Sequence, residues 1–256
     1  MPQSPGDFPD GTALVIGGSG GVGRAVGVAL AQAGSDVALT FRSNRAGAYD
    51  AAQAVEDIGR RAQVHALDLA DEAAVAAVID AVAKTAPLHT VVFAAGSDIP
   101  MRFVSELTAD QWRTAMHRDA DGFFHVVRAS LPHLRTTCGS IVAVTSAGAS
   151  RMPTRDVLSV APKGAIEALV RAVAVEEGRF GVRANAVRLG VIEAGIFLRL
   201  RGGDLGEDWG AAARKNTPLR RFGTAEEAAN AVVFLASTRA SYVTGQMLGV
   251  DGGYGA

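Results

Sequence analysis

Apolar residues along this chain gather into short runs: Leu14–Ile16, Val37–Phe41, Val64–Leu67, Val91–Ala95, Ile141–Thr145, Ala184–Leu189 and Met247–Val250. Each is strand-length rather than helix-length and lacks polar alternation, so each predicts a strand buried on both faces. Between the runs lie longer, alanine-rich stretches over 22–33, 46–59, 71–85, 108–134, 160–179 and 224–236. These predict helices, and several open with capping residues: Asp71 before Glu72, Thr108 with Asp110, and Thr224 with Glu226 and Glu227. Strand and helix alternating at this spacing imply right-handed βαβ units. The expected fold is α/β, a doubly wound parallel sheet of about seven strands with helices on both faces.

Nearly half of the 256 residues are apolar, which argues against disorder and allows one sizeable core. Residues 1–10 are polar, acidic and proline-rich and are expected to form a flexible segment. Residues 11–256 are expected to form a single domain. The stretch 190–218 is glycine-rich and follows the C-terminal end of a strand, so it is either a substrate lid or an ordinary surface loop.

A net charge of -1 supplies no global field to recruit nucleic acid or an anionic membrane. The basic clusters at Arg199–Arg201 and at Arg220 and Arg221 read as solvated faces. The single cysteine, Cys138, permits no intramolecular disulfide, which fits a reducing compartment. It precedes an apolar strand with no base near it in sequence and reads as packing. No signal peptide and no run of membrane-spanning length is found, so a cytoplasmic protein is expected. No metal site is expected.

Candidate chemistry enters with the glycines. Gly17, Gly18, Gly20, Gly21 and Gly23 crowd the turn between the first strand and the first helix. Glycine lets the backbone turn tightly and approach a pyrophosphate, and the helix start offers it free N–H groups. That is the signature of a Rossmann dinucleotide site. NAD-specific sites place an acid at the end of the second strand. Here the stretch reads Phe41-Arg42-Ser43-Asn44-Arg45, with two arginines and no acid. A guanidinium pairs bidentately with a 2′-phosphate, and the Ser43 hydroxyl adds a donor. NADP(H) is therefore expected over NAD(H), with solvated loop arginines as the alternative.

With these residues in view, the chain resembles the short-chain dehydrogenase/reductase family over roughly 11–253. Ile16-Gly17-Gly18-Ser19-Gly20-Gly21-Val22-Gly23 is similar to the family's Thr-Gly-x-x-x-Gly-x-Gly turn. Ala94-Ala95-Gly96 is similar to the end of its Asn-Asn-Ala-Gly motif, and the tail from Pro218 to Gly253 resembles β-ketoacyl-carrier-protein reductases. The resemblance implies cofactor contacts from Gly17, Ser19, Gly20, Gly21, Val22 and Gly23. It adds Asp68 and Leu69 beside the adenine, Ala95 and Gly96, Lys163 on the ribose, and Gly190 and Ile192 beside the carboxamide. It also implies a small-molecule substrate and a homotetramer or homodimer built on the helices at 108–134 and 160–179.

The family's usual centre is an asparagine, a serine and a Tyr-x-x-x-Lys pair. By resemblance, Ser146 takes the serine position and Lys163 the lysine position. The tyrosine position, four residues before Lys163 and 13 after Ser146, is Ser159. The asparagine position, seven residues after Trp112, is Asp119. No tyrosine lies between Ser146 and Lys163. Of those elsewhere, Tyr49 belongs to the second helix, Tyr242 reads as structural, and Tyr254 lies in a tail able to reach a neighbouring subunit. A phenol with a pKa of about 10 can be tuned into a proton donor, whereas an aliphatic hydroxyl is a far weaker acid. Ser159 can still donate a hydrogen bond to an oxyanion, which suits an enolate better than an alkoxide. The Ser-x-x-x-Lys arrangement is similar to that of 2,4-dienoyl-CoA reductases, although the tyrosine that supports it there is absent from Ala147-Gly148-Ala149. Asp119 facing Lys163 would favour the ammonium form. Phe103, Met152, Phe197, Leu198 and Leu200 are candidates for an apolar substrate wall or for core.

Three readings follow. The first is an NADP(H)-dependent reductase of an activated C=C bond. The second is a carbonyl or alcohol oxidoreductase with an improvised acid. The third is a non-catalytic dinucleotide-binding protein.

Overall fold

The structure, a computed structural model, describes residues 7–195, 197–198 and 207–256. Seven strands form one parallel sheet: β1 (Thr12–Ile16), β2 (Asp36–Phe41), β3 (Ala62–Ala66), β4 (Leu88–Phe93), β5 (Ser140–Ser146), β6 (Arg183–Leu189) and β7 (Met247–Val250). Their order across the sheet is β3-β2-β1-β4-β5-β6-β7, so the winding reverses between β1 and β4. A crevice opens at the strands' C-terminal ends at such a reversal.

The doubly wound expectation holds, and the burial explains it. β1 is buried at every residue because its side chains alternate between two cores. Leu14 and Ile16 join Val75 and Ile79 of α3 (Glu72–Thr85), Phe123 of α5 (Gly122–Thr137) and Ile166 and Val170 of α6 (Val157–Glu177). Ala13 and Val15 face the other way, toward Val26 and Leu30 of α1 (Gly21–Gln32), Val55 of α2 (Arg45–Asp57) and Val232 of α8 (Ala225–Ala236). The edge strands β3 and β7 are only partly buried.

Several boundaries differ from expectation. β4 ends at Phe93, not Ala95, which frees Ala94 and Ala95 to line the crevice. β3 covers Ala62–Ala66 rather than 64–67, since its register is set by pairing with Val37–Phe41. The helix expected over 108–134 runs as α4 (Ala109–Ala115), one wider turn of π type (Met116–Asp121) and α5. A π turn inserts one extra residue and re-aims the side chains that follow, often at functional sites. Here it carries Asp119. The helix expected from 160 begins at Val157, because the Asp156 carbonyl already accepts from Ser159 N and Val160 N, both at 3.0 Å. Helix α7 (Glu207–Asn216) lies inside the 190–218 stretch, where no helix was expected.

Residues 7–10, expected to be flexible, are held: Asp7 O accepts from Thr238 N at 3.0 Å, and Phe8 packs on the His89 ring at 5.3 Å. Residues 1–6, Arg199, Leu200 and Arg201 lie outside the described residues. Arg221 is not merely solvated, since it grips Glu227 through two bonds of 2.6 and 2.8 Å. Cys138 is exposed rather than packed, because it caps α5 in a left-handed conformation (φ 50) that turns its side chain out of the core. Tyr242, expected to be structural, is fully exposed on this chain. Among the described residues no helix is long and apolar enough to cross a membrane.

Candidate active site

The crevice is an open cleft of about 1390 Å³. It brings together the glycine turn, the end of β2, the β4 and β5 ends, the start of α6 and the segment after β6.

The first end is built for close approach to the backbone. Gly17 adopts φ +84, and a Cβ there would lie 2.9 Å from the Ala95 backbone. A Cβ on Gly23 would lie 2.2 Å from Gly17 O, so the turn closes only without side chains. Over Gly20 the space is open, with Gly17 O at 3.6 Å as its one neighbour. Gly20 caps α1 without a side chain, and no acid stands in the first turn. The first amides of α1 therefore face the cleft with a positive dipole end, which fits a pyrophosphate. Ser19 and Val22 line the same space.

Two residues missed in the sequence brace this turn. Thr40 Oγ1 accepts from Gly17 N at 3.1 Å, and Asn44 Nδ2 donates to Ser19 O at 3.1 Å. Asn44 also caps α2 through Gly47 N. Its place just before a helix was the available signal. Arg42 and Ser43 stand exposed on the cleft wall, as does Asp68. Arg45, the second arginine, instead stacks on Tyr49 at 5.3 Å. Leu69 packs over Gly122 and offers its carbonyl to His125 Nδ1 at 3.0 Å.

Ala95 and Gly96 line the middle of the cleft. Gly190 is required where the chain after β7 passes, since a Cβ would lie 2.8 Å from Asp251 Cα. Ile192 is buried, its side chain lies against Gly223, and it lines the cleft.

At the other end Ser146, Ser159, Lys163 and Asp119 all line the cleft. Ser146 closes β5, and its Oγ accepts from Gly148 N at 3.0 Å, which leaves the hydroxyl proton to donate. Ser159 lies in the first turn of α6, one turn before Lys163. Lys163 Nζ donates to Asp119 Oδ2 at 2.7 Å with both side chains buried. The other oxygen of Asp119 accepts from Ser97 N at 3.1 Å and Ser97 Oγ at 2.7 Å. Asp119 is thus an anchored partner of Lys163. Ser97 is a further residue missed in the sequence, though it directly follows Ala95-Gly96.

One turn beyond Lys163, buried Glu167 holds Arg188 of β6 at 2.8 and 2.6 Å and accepts from Thr145 Oγ1 at 2.9 Å. Arg188 also reaches Ser150 Oγ at 2.9 Å. This network fastens α6 to the β5 and β6 ends and so fixes Lys163 relative to Ser146. Charged residues inside otherwise apolar stretches were its only sequence signal.

Asp156 was also missed. It lines the cleft just before α6, and burial pushes its carboxyl up to about 6 against the opposing pull of the Lys163 ammonium. Phe103, Met152, Phe197 and Leu198 line the cleft as apolar wall. Phe197 packs with Phe222 at 5.1 Å and with Trp209 of α7 at 5.8 Å. Tyr254 lies in this chain's own cleft, under the Arg151 guanidinium at 5.0 Å, rather than reaching outward.

A doubly wound parallel sheet with a glycine-crowded turn opening onto the crevice at its winding reversal defines a dinucleotide-site α/β protein. The chain belongs to the short-chain dehydrogenase/reductase family, and the profile described as enoyl-(acyl carrier protein) reductase matches residues 17–255. YgfF, an uncharacterised oxidoreductase of Escherichia coli K12, is 35% identical over 248 residues, covering 94% of this chain and 98% of the relative. Carveol dehydrogenase from Mycobacterium avium, solved in complex with NAD, is 28% identical with a TM-score of 0.90, covering 97% of this chain and 99% of that one. A blue fluorescent protein from a metagenomic library, solved with NADPH, is 29% identical with a TM-score of 0.89, covering 98% and 100%.

Proposed function

We propose that this protein is an NADP(H)-dependent oxidoreductase of a small-molecule carbonyl, alcohol or activated C=C substrate, with serine in place of the usual phenol. The observation that carries the reading is that Ser146, Ser159 and Lys163 line the same cleft as the glycine turn. A structural neighbour solved with NAD and another solved with NADPH support a nicotinamide cofactor. Arg42, Ser43 and the missing acid favour the phosphorylated form.

The turn from Gly17 to Gly23 would hold the pyrophosphate, Asp68 and Leu69 would stand beside the adenine, and Gly190 and Ile192 would stand beside the carboxamide. When bound, the nicotinamide supplies or accepts hydride. Lys163 uses one N–H on Asp119 and keeps two for the ribose hydroxyls. Ser146 and Ser159 donate to the substrate oxygen and stabilise negative charge as it develops there. Phe103, Met152, Phe197 and Leu198 offer the substrate an apolar wall in the same cleft.

The test is a purified-protein screen of NADPH oxidation against ketones, enones and enoyl-thioesters, beside calorimetric titration with NADPH and NADH. Turnover that falls in Ser159→Ala supports the assignment. NADPH binding with no turnover of any class would favour the non-catalytic reading instead. Assembly as a homotetramer is part of the proposal: Trp112, Phe124 and Val175 leave apolar surface exposed on α4, α5 and α6. Light scattering that finds only monomer would overturn it.

A further inference from the structure

We propose that Asp156 is the proton donor of this site, supplying the acid that Ser159 cannot. The inference rests on the oxidoreductase reading above, taken in its carbonyl or alcohol form.

Asp156 is the residue before the first turn of α6, where an aspartate ordinarily turns its carboxylate back to cap the helix amides. Here it does not. Only its backbone carbonyl meets the helix, through Ser159 N and Val160 N, and the side chain makes no capping bond. No described residue donates a hydrogen bond to that carboxyl, and none pairs with it as a salt bridge. It faces the cleft that holds Ser146, Ser159 and Lys163. The backbone is held in this arrangement at some expense. Arg155, just before it, adopts φ 67, a left-handed conformation unfavourable for a side-chain-bearing residue. The Arg155 guanidinium lies over the Phe103 ring at 4.4 Å, which pins the loop. Strain of this kind gathers at functional sites.

The titratable groups that line the same cleft as Asp156 are mixed in charge. Lys163 acts on Asp156 from α6, and Arg151 and Arg155 stand on its own loop. Arg118 comes from the wide π turn, Asp98 from the segment after β4, and the Tyr254 phenol from the tail. Asp119 is engaged by Lys163 and Ser97. Burial outweighs the Lys163 attraction, so the carboxyl keeps its proton to about pH 6. A carboxylic acid poised near working pH is a competent donor, and its transfer to an alkoxide is strongly downhill.

In carbonyl reduction, hydride reaching the carbonyl carbon from a bound reduced nicotinamide would open the C=O π bond to an alkoxide, which Ser146 and Ser159 would hold. The Asp156 O–H bond then breaks, its proton passes to the alkoxide oxygen, and the products are the alcohol and the Asp156 carboxylate. Water in the open cleft returns the proton. In the reverse direction the carboxylate takes the hydroxyl proton as hydride leaves.

The experiment has two arms. In the first, the apo protein carries 13C-labelled aspartate carboxyls and is titrated by NMR, wild type against Asp156→Asn. One carboxyl should titrate near pH 6 in the wild type and vanish in the variant. Its absence from the wild type overturns the proposal, whatever the activity. In the second, the pH profile of NADPH-dependent ketone reduction is compared among wild type, Asp156→Asn and Asp156→Glu. Wild-type kcat should fall about tenfold per pH unit above the titration. Asp156→Asn should lose about 10²–10⁴ in kcat together with that pH limb, while its NADPH affinity stays within about twofold. Asp156→Glu should recover part of the rate and restore the limb. An unchanged profile in Asp156→Asn overturns the donor role alone. A wild type that binds neither NADPH nor NADH overturns the oxidoreductase reading and the donor role with it.

Discussion

The pair between Asp119 and Lys163 yields the sharpest stability prediction. Lys163 is 8% exposed and Asp119 5%, so neither charge is solvated to any useful degree. Asp119→Ala removes the carboxylate that meets Lys163 Nζ at 2.7 Å and also the acceptor for both Ser97 donors. Leaving one charge of a buried pair without its partner costs about 3–5 kcal/mol. Asp119→Asn is milder: it keeps an oxygen for Ser97 but offers Lys163 a neutral amide, for a loss of about 1–3 kcal/mol. The double variant Asp119→Asn/Lys163→Met removes both charges and should lose less than the sum of the singles, with a coupling of about 1–3 kcal/mol. Urea unfolding followed by tryptophan fluorescence measures all four corners of the cycle. At a slope of about 3 kcal/mol per molar, the Ala variant should unfold at about 1–1.7 M less urea. High salt should rescue little, because a buried pair is weakly screened. An Asp119→Ala loss below about 1 kcal/mol, or a cycle with no coupling, would refute the reasoning.

Arg42→Ala should weaken NADPH binding by about 10–100-fold, the loss of one or two charge-assisted bonds, and leave NADH almost unchanged; calorimetry with both nucleotides checks this, and equal wild-type affinities would remove the argument. Gly23→Ala drives a methyl to 2.2 Å from Gly17 O, and because the obstacle is backbone the cost should reach or exceed the usual overpacking range of about 1–3 kcal/mol, read by thermal unfolding together with lost NADPH binding. His89 is buried between Ser35 and Thr90, and burial holds its pKa down at about 4. A depressed histidine contributes stability that is complete above its ordinary value of about 6.5 and drains away as pH falls toward 4, amounting to about 3 kcal/mol. His89→Gln should therefore flatten the acid side of the stability–pH curve, and an unchanged curve would show that His89 is not the group responsible.

Much of this molecule could be read from local pattern. Seven apolar runs predicted seven strands: the central ones are apolar because both faces are buried, while the edge strands β3 and β7 are only partly buried. The crowding of Gly17, Gly21 and Gly23 between strand and helix predicted the nucleotide turn, because only glycine permits that backbone path. The placement of Ser159 one turn before Lys163 was legible, because spacing along one helix fixes which residue stands there.

What could not be read depends on which segments the sheet order brings side by side. Ser97, Asp119 and Lys163 meet only because β4 lies beside β5 and because a π turn aims Asp119 inward. Thr40 reaches Gly17 because β2 neighbours β1. Glu167, Arg188 and Thr145 join across α6, β6 and β5. Cys138 was misplaced for the same reason, since composition says nothing of a left-handed cap. The burial of Asp156 is of this kind too. A carboxyl's proton affinity is set by the solvent it loses and the charges around it, and both are properties of the assembled cleft rather than of the chain.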